Sequence, residues 1–124
     1  MPAWPAYNPG MADDYYIVTT AVPDRATARA IARAVVEKKL AAGVQILGPV
    51  DSHYWWQGEI CQAEEYLCLC RTTTRHQPAL EAEILAMHPY VTPEVTALPI
   101  ASGNHDFLAW ITQSTGPATD PRSA

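Results

Sequence analysis

The chain has 124 residues, 48% of them hydrophobic, and a formal charge of −5 from 13 Asp and Glu against 8 Lys and Arg. That length fits one domain with an apolar core, and an acidic balance without a long basic run argues against nucleic acid as a partner. No apolar run approaches the ~18 residues of a membrane span.

Residues 1–13 hold Pro2, Pro5, Pro9 and Gly10 without apolar periodicity, and they read as a flexible tail. They lack the basic start and apolar centre of a secretory signal, so a cytoplasmic location is expected, and Met11 stands as a second candidate start. A single domain is expected over 14–115. It opens with the β-branched and aromatic DYYIVTTAV, a strand. Pro23 and Asp24 then start a helix whose apolar stripe is Ala28, Ile31, Ala32, Val35, Val36 and Leu40, with Gly43 expected to close it. VQILGPVDSHYWW reads as a strand bent at Gly48–Pro49, and QGE (57–59) as a hairpin turn. ICQAEEYLCLCRTT is the returning strand.

TRHQPALEAEILAMH is a second helix, with a Thr74–Gln77 capping box expected at its start and Leu80, Ile84 and Met87 as its core stripe. TPEVTALPI is a fourth strand, placed at a sheet edge by Pro99. NHDFLAWITQS is a last helix with Asn104 as N-cap. Residues 116–124, GPATDPRSA, read as a second flexible tail. The order β-α-β-β-α-β plus a C-terminal helix is α+β and ferredoxin-like, with two helices on one face of a four-stranded antiparallel sheet. Cys61, Cys68 and Cys70 are an odd set that argues against a disulfide framework. Strand alternation puts Cys68 and Cys70 on one face, as small buried hydrophobes, and Cys61 on the other.

Three stretches, ARAIARAVVEKKLAAGVQILGPVDSHYWWQGEI, HPYVTPEVTALPI and FLAWI, occur in order and together resemble the CutA family, the divalent-cation tolerance proteins. The resemblance runs from about Tyr15 to Ser114. It implies a homotrimer with an architecture similar to the PII signalling proteins, and a part in handling copper or other divalent cations. The chain departs from the family where thiols commonly stand. Gly43 replaces a cysteine, Thr19 and Thr20 occupy positions where some members have one, and Gln45, Gln57 and the pair Met87–His88 replace Asn, Glu and a His pair. Trp55 and Trp56 give the trimer separate support. Neighbours on a strand face opposite ways, and one sheet with helices on one side cannot bury both rings. They are expected at a subunit interface; packing against the last helix or the N-terminal tail is the alternative.

The candidate metal ligands are His88, Glu94 and Met87, offering an imidazole, a carboxylate and a thioether to copper or another divalent cation. The same stretch equally suits a helix stop, with Pro89 ending the helix and Tyr90 anchoring the loop. His53, His76 and His105 lack partners at ligand spacing and are expected to be solvated or packed. No nucleophile elbow, phosphate loop or metalloprotease helix occurs, and Glu64 and Glu65 face opposite ways, so the chain is expected not to be an enzyme. Two other roles remain open. One is a PII-like sensor of a nucleotide or small ligand, although the hairpin tip WWQGEIC supplies none of the basic residues phosphate needs. The other is a structural or partner-binding trimer without a metal.

Overall fold

A computed structural model describes residues 15–116. The two tails expected at 1–13 and 116–124 lie outside the described residues, except for Gly116. The elements run β1 (Tyr15–Val22), α1 (Arg25–Glu37), β2 (Gly43–Trp56), β3 (Glu59–Thr73), α2 (Gln77–Met87), β4 (Val95–Pro99) and α3 (His105–Thr115). The sheet order is β2-β3-β1-β4, antiparallel throughout, which is the expected α+β ferredoxin-like arrangement with β4 at an edge. Alternation along β1 and β3 sends Val18, Val22, Cys68 and Cys70 to one face, where they are fully buried with Ala28, Ile31 and Val35 of α1 and Leu80 and Ile84 of α2. Burial pushes the Cys68 thiol up to about 11 and the Cys70 thiol up to about 12, so both stay protonated and inert.

Helix α1 starts as its sequence indicates. The Asp24 carboxylate accepts the Thr27 backbone N–H at 2.7 Å, a bond that also holds its pKa below the usual carboxylate value. Its end differs from the expectation at Gly43. The helix stops at Glu37, and Lys39 takes the left-handed conformation at φ 59°. The Lys39 N–H then donates to Val36 O, and Leu40 N–H to Val35 O, which closes a Schellman motif with Leu40 packed under the last turn. Gly43 instead begins β2, and its missing side chain makes room for Trp110 of α3, whose Cη2 would lie 3.1 Å from a Cβ there.

The start of α2 also differs. The Thr74–Gln77 capping box does not form, and the Thr74 hydroxyl is buried without a hydrogen-bond partner among the described residues. Thr73 takes over: its hydroxyl lies 2.6 Å from His76 Nδ1, and His76 holds the N-cap position. Asn104 does hold the N-cap position of α3, but its side chain makes no capping bond.

His76 is buried, with Nδ1 accepting from Thr73 and Nε2–H donating to Gly116 O at 3.0 Å, which ties the end of α3 to the start of α2. Burial lowers its pKa. The unfolded chain therefore binds more protons just below neutrality, and stability should fall as pH drops below about 6.5 toward the folded-state pKa. Thermal midpoints followed from about pH 7.5 to about pH 5 should decline in the native chain and flatten in His76→Gln. An equal decline in both would place the titration elsewhere.

The second sheet face carries Ile17, Thr19, Ala21, Leu67 and Leu69 by alternation. Helix α3 covers only one end of it, through Tyr15 Oη and Thr112 Oγ1 at 2.6 Å and through Trp110 over Gly43. Leu47 and Leu98 on this face are 51% and 54% exposed. The expected bend is present as a register shift between Leu47 and Val50, at a cis Gly48–Pro49 peptide. The Tyr66 ring closes over Gly48 and leaves no space for a side chain. Beyond Tyr66, β3 has lost β1, so residues 50–65 project as a two-stranded arm turned at Gln57–Gly58. On the arm Trp55 stands opposite Ile60. Trp56 faces the other way, and both indoles are exposed.

Candidate functional site

The register shift decides which arm residues reach the open sheet face. Before it, Gln45 and Leu47 share that face with Leu69 and Leu67; after it, Val50, Ser52, Tyr54 and Trp56 do, opposite Glu65, Ala63, Cys61 and Glu59. One extra residue in β2 has reversed the parity. Tyr54 and Trp56 therefore stand above Glu65, and the loop after α2 supplies the facing wall. Together they form a cleft of about 630 Å³ whose lining includes Ser52, Tyr54, Trp56, Glu65, Tyr90 and Glu94.

Glu65 is only 8% exposed. Tyr90 O–H donates to its Oε2 at 2.7 Å, and burial together with that carboxylate pushes the Tyr90 phenol well above its ordinary value. Tyr90 thus serves as a fixed donor. Glu94 is held from below: Thr19 and Thr96 each place a hydroxyl 3.2 Å from its Oε2 and lie 2.7 Å from each other. Neither glutamate has an ion-pair partner among the described residues.

The three candidate ligands part company here. Nε2–H of His88 donates to Ala21 O at 2.8 Å, and Nδ1 accepts the Tyr90 N–H at 3.2 Å. Both ring nitrogens are engaged, and the imidazole also packs 4.9 Å from the Tyr90 ring. Met87 packs against the core cluster. Glu94 alone of the three lines the cleft. Among the described residues no group of three or more His, Cys, Asp or Glu is arranged to hold a metal ion. The donors that line the cleft are all oxygens, a set that suits a hard divalent cation and not Cu(I). Among the described residues no helix is long and apolar enough to cross a membrane.

Glu65 and Tyr54 carry the site, although Glu65 drew attention in the sequence only as a neighbour of Glu64 facing the other way. The available signal was phase: Glu59 and Glu65 are the β3 acids in phase with Leu67 and Leu69, and of the two only Glu65 is buried. Tyr90 was expected to anchor the loop, and it does so onto Glu65.

The profile of the family described as CutA1 divalent ion tolerance protein matches residues 16–114. The chain is 46% identical over 100 residues to the divalent-cation tolerance protein CutA of Thermus thermophilus, covering 81% of this chain and 97% of that one. The solved structure of that protein superimposes with a TM-score of 0.80 over 82% of this chain and 99% of its own. A structure described as the periplasmic divalent cation tolerance protein CutA from Archaeoglobus fulgidus, 36% identical, superimposes with a TM-score of 0.79 over 82% of this chain and 98% of its own. The profile match spans every element from β1 to α3, and the chain belongs to the CutA1 divalent ion tolerance protein family.

Proposed function

We propose that this chain works as a homotrimer in the cellular response to divalent cations, copper among them, and that it binds its ligand without catalysing a reaction. The observation that carries the reading is the open sheet face. Ile17, Leu67 and Leu69, with the exposed Leu47 and Leu98, form an apolar surface on the side of the sheet that α1 and α2 leave bare. A folded chain keeps such a face only against another surface. A ring of three also shields the edge strands β2 and β4, gives Trp55 a partner and leaves Trp56 at the border of the interface with its ring toward the cleft. Three free thiols suit a reducing cytoplasm.

Glu94 is the cation ligand of this reading, because its carboxylate faces the cleft while His88 and Met87 are committed to the fold. Calorimetric titration with Zn²⁺ and Cu²⁺ should show binding that weakens about tenfold or more in Glu94→Gln, as loss of one charged ligand would produce. Unchanged binding in that variant removes Glu94 from the site. A second reading, a small-ligand sensor of the PII kind, is favoured by the volume of the cleft and its aromatic walls, which exceed what a metal ion uses.

A further inference from the structure

The chemistry of the cleft narrows what it takes. Its lining includes two carboxylates, Glu65 and Glu94, and no lysine or arginine. A phosphate entering it would meet like charge and none of the paired cationic donors that phosphate sites use. Glu65 is the more demanding of the two. It is more than nine-tenths buried, its only direct partner among the described residues is the neutral Tyr90 hydroxyl, and no cation among those residues pairs with it. A buried carboxylate in that position is stabilised by a positive charge brought from outside. The walls beside it are Tyr54 and Trp56, aromatic surfaces of the kind that attract a cation through the negative face of the ring. A volume of about 630 Å³ accommodates a small organic molecule.

We propose that the cleft binds a small organic ammonium ion, with its head group between the Glu65 carboxylate and the rings of Trp56 and Tyr54. The proposal rests on the small-ligand reading above and names the ligand class of that site. Glu65 supplies the counter-charge, and Tyr90 fixes the carboxylate so that its second oxygen remains free for the ligand. Tyr54 and Trp56 exclude water from the head group and favour alkylated nitrogen over a hydrated metal ion. Glu94, held by Thr19 and Thr96, offers a second carboxylate to a ligand carrying a second positive charge.

The test uses the full chain, its assembly confirmed by sedimentation. Choline, 1,4-diaminobutane, 3,3-dimethyl-1-butanol and ATP are titrated by calorimetry and thermal shift. Choline and the butanol differ by one charge at nearly equal shape. An ammonium ligand should bind, with the neutral isostere about tenfold weaker or worse, and Glu65→Gln should weaken the ammonium by a similar factor. Because Glu65→Gln also alters the bond to Tyr90, the choline-to-butanol ratio on the native chain carries the result without a variant, and Trp56→Leu provides a second one. Equal binding of choline and the butanol overturns the proposal. Binding of ATP with indifference to both ammonium ions overturns it too, while leaving the small-ligand reading standing. Silence from all four compounds removes both.

Discussion

Leu69→Glu should turn the proposed trimer into free single chains. Leu69 sits in the central strand β3, paired with Thr19 on one side and Gln45 on the other, in the middle of the face that α1 and α2 leave uncovered. In a separate chain that position is only partly buried, so a carboxylate there still reaches water and the fold survives. Against a second subunit the same carboxylate is stripped of water without a partner, at a cost of roughly several kcal/mol at each interface. Sedimentation should give the mass of one chain, 13.6 kDa, with the far-ultraviolet dichroism of the native protein retained. A variant that still sediments as the native assembly would show that this face is not the interface.

The second large effect lies on the opposite side of the sheet. Ile84→Ala removes a fully buried side chain from α2, one turn beyond Leu80, where the helix meets the cluster of Val18, Val22 and Ile31. Lost transfer energy and the cavity left behind together cost about 2–5 kcal/mol for such a truncation. In a domain of this size each kcal/mol moves the thermal midpoint by roughly 4–8 °C. Val36→Ala is the control, since Val36 lies on the same helical pattern in α1 but is 39% exposed, and its effect should stay within about 0.5 kcal/mol of zero. Both are compared at one protein concentration, because association contributes to the apparent stability. Near-equal losses would mean that the two helix faces share the burden of packing.

Much of the fold was legible because strand alternation and helical periodicity are local. Cys68 and Cys70 fell on the buried face and Cys61 off it, and Leu80 and Ile84 formed the stripe of α2. The misread helix ends show where local rules lose. A glycine after a helix normally marks its stop, yet Lys39 adopts the left-handed turn because the Schellman bonds and the burial of Leu40 offset the strain. Gly43 is needed for another reason, the approach of Trp110 from far along the chain. The Thr74–Gln77 pattern was overridden by Thr73, whose contact with His76 in turn depends on the distant Gly116.

The cleft was hardly legible at all. It gathers residues from β1, β2, β3 and the loop after α2, and the parity reversal at Leu47/Val50 decides that Trp56, and not Trp55, looks into it. A bend was expected at Gly48–Pro49, but a bend read from sequence does not say whether it adds a residue to the ladder. His88 illustrates the opposite case. It sits where the family resemblance drew attention, and its ring ties the loop to the Ala21 carbonyl and to the Tyr90 amide. That anchoring brings Tyr90 to Glu65.

Assembly is measured most directly as the mass of the 124-residue chain by sedimentation equilibrium across the micromolar range. The proposed trimer gives a single species at three times the 13.6 kDa of one chain, unchanged on dilution. A monomer throughout that range would leave the apolar sheet face bare in solution and rule the trimer out.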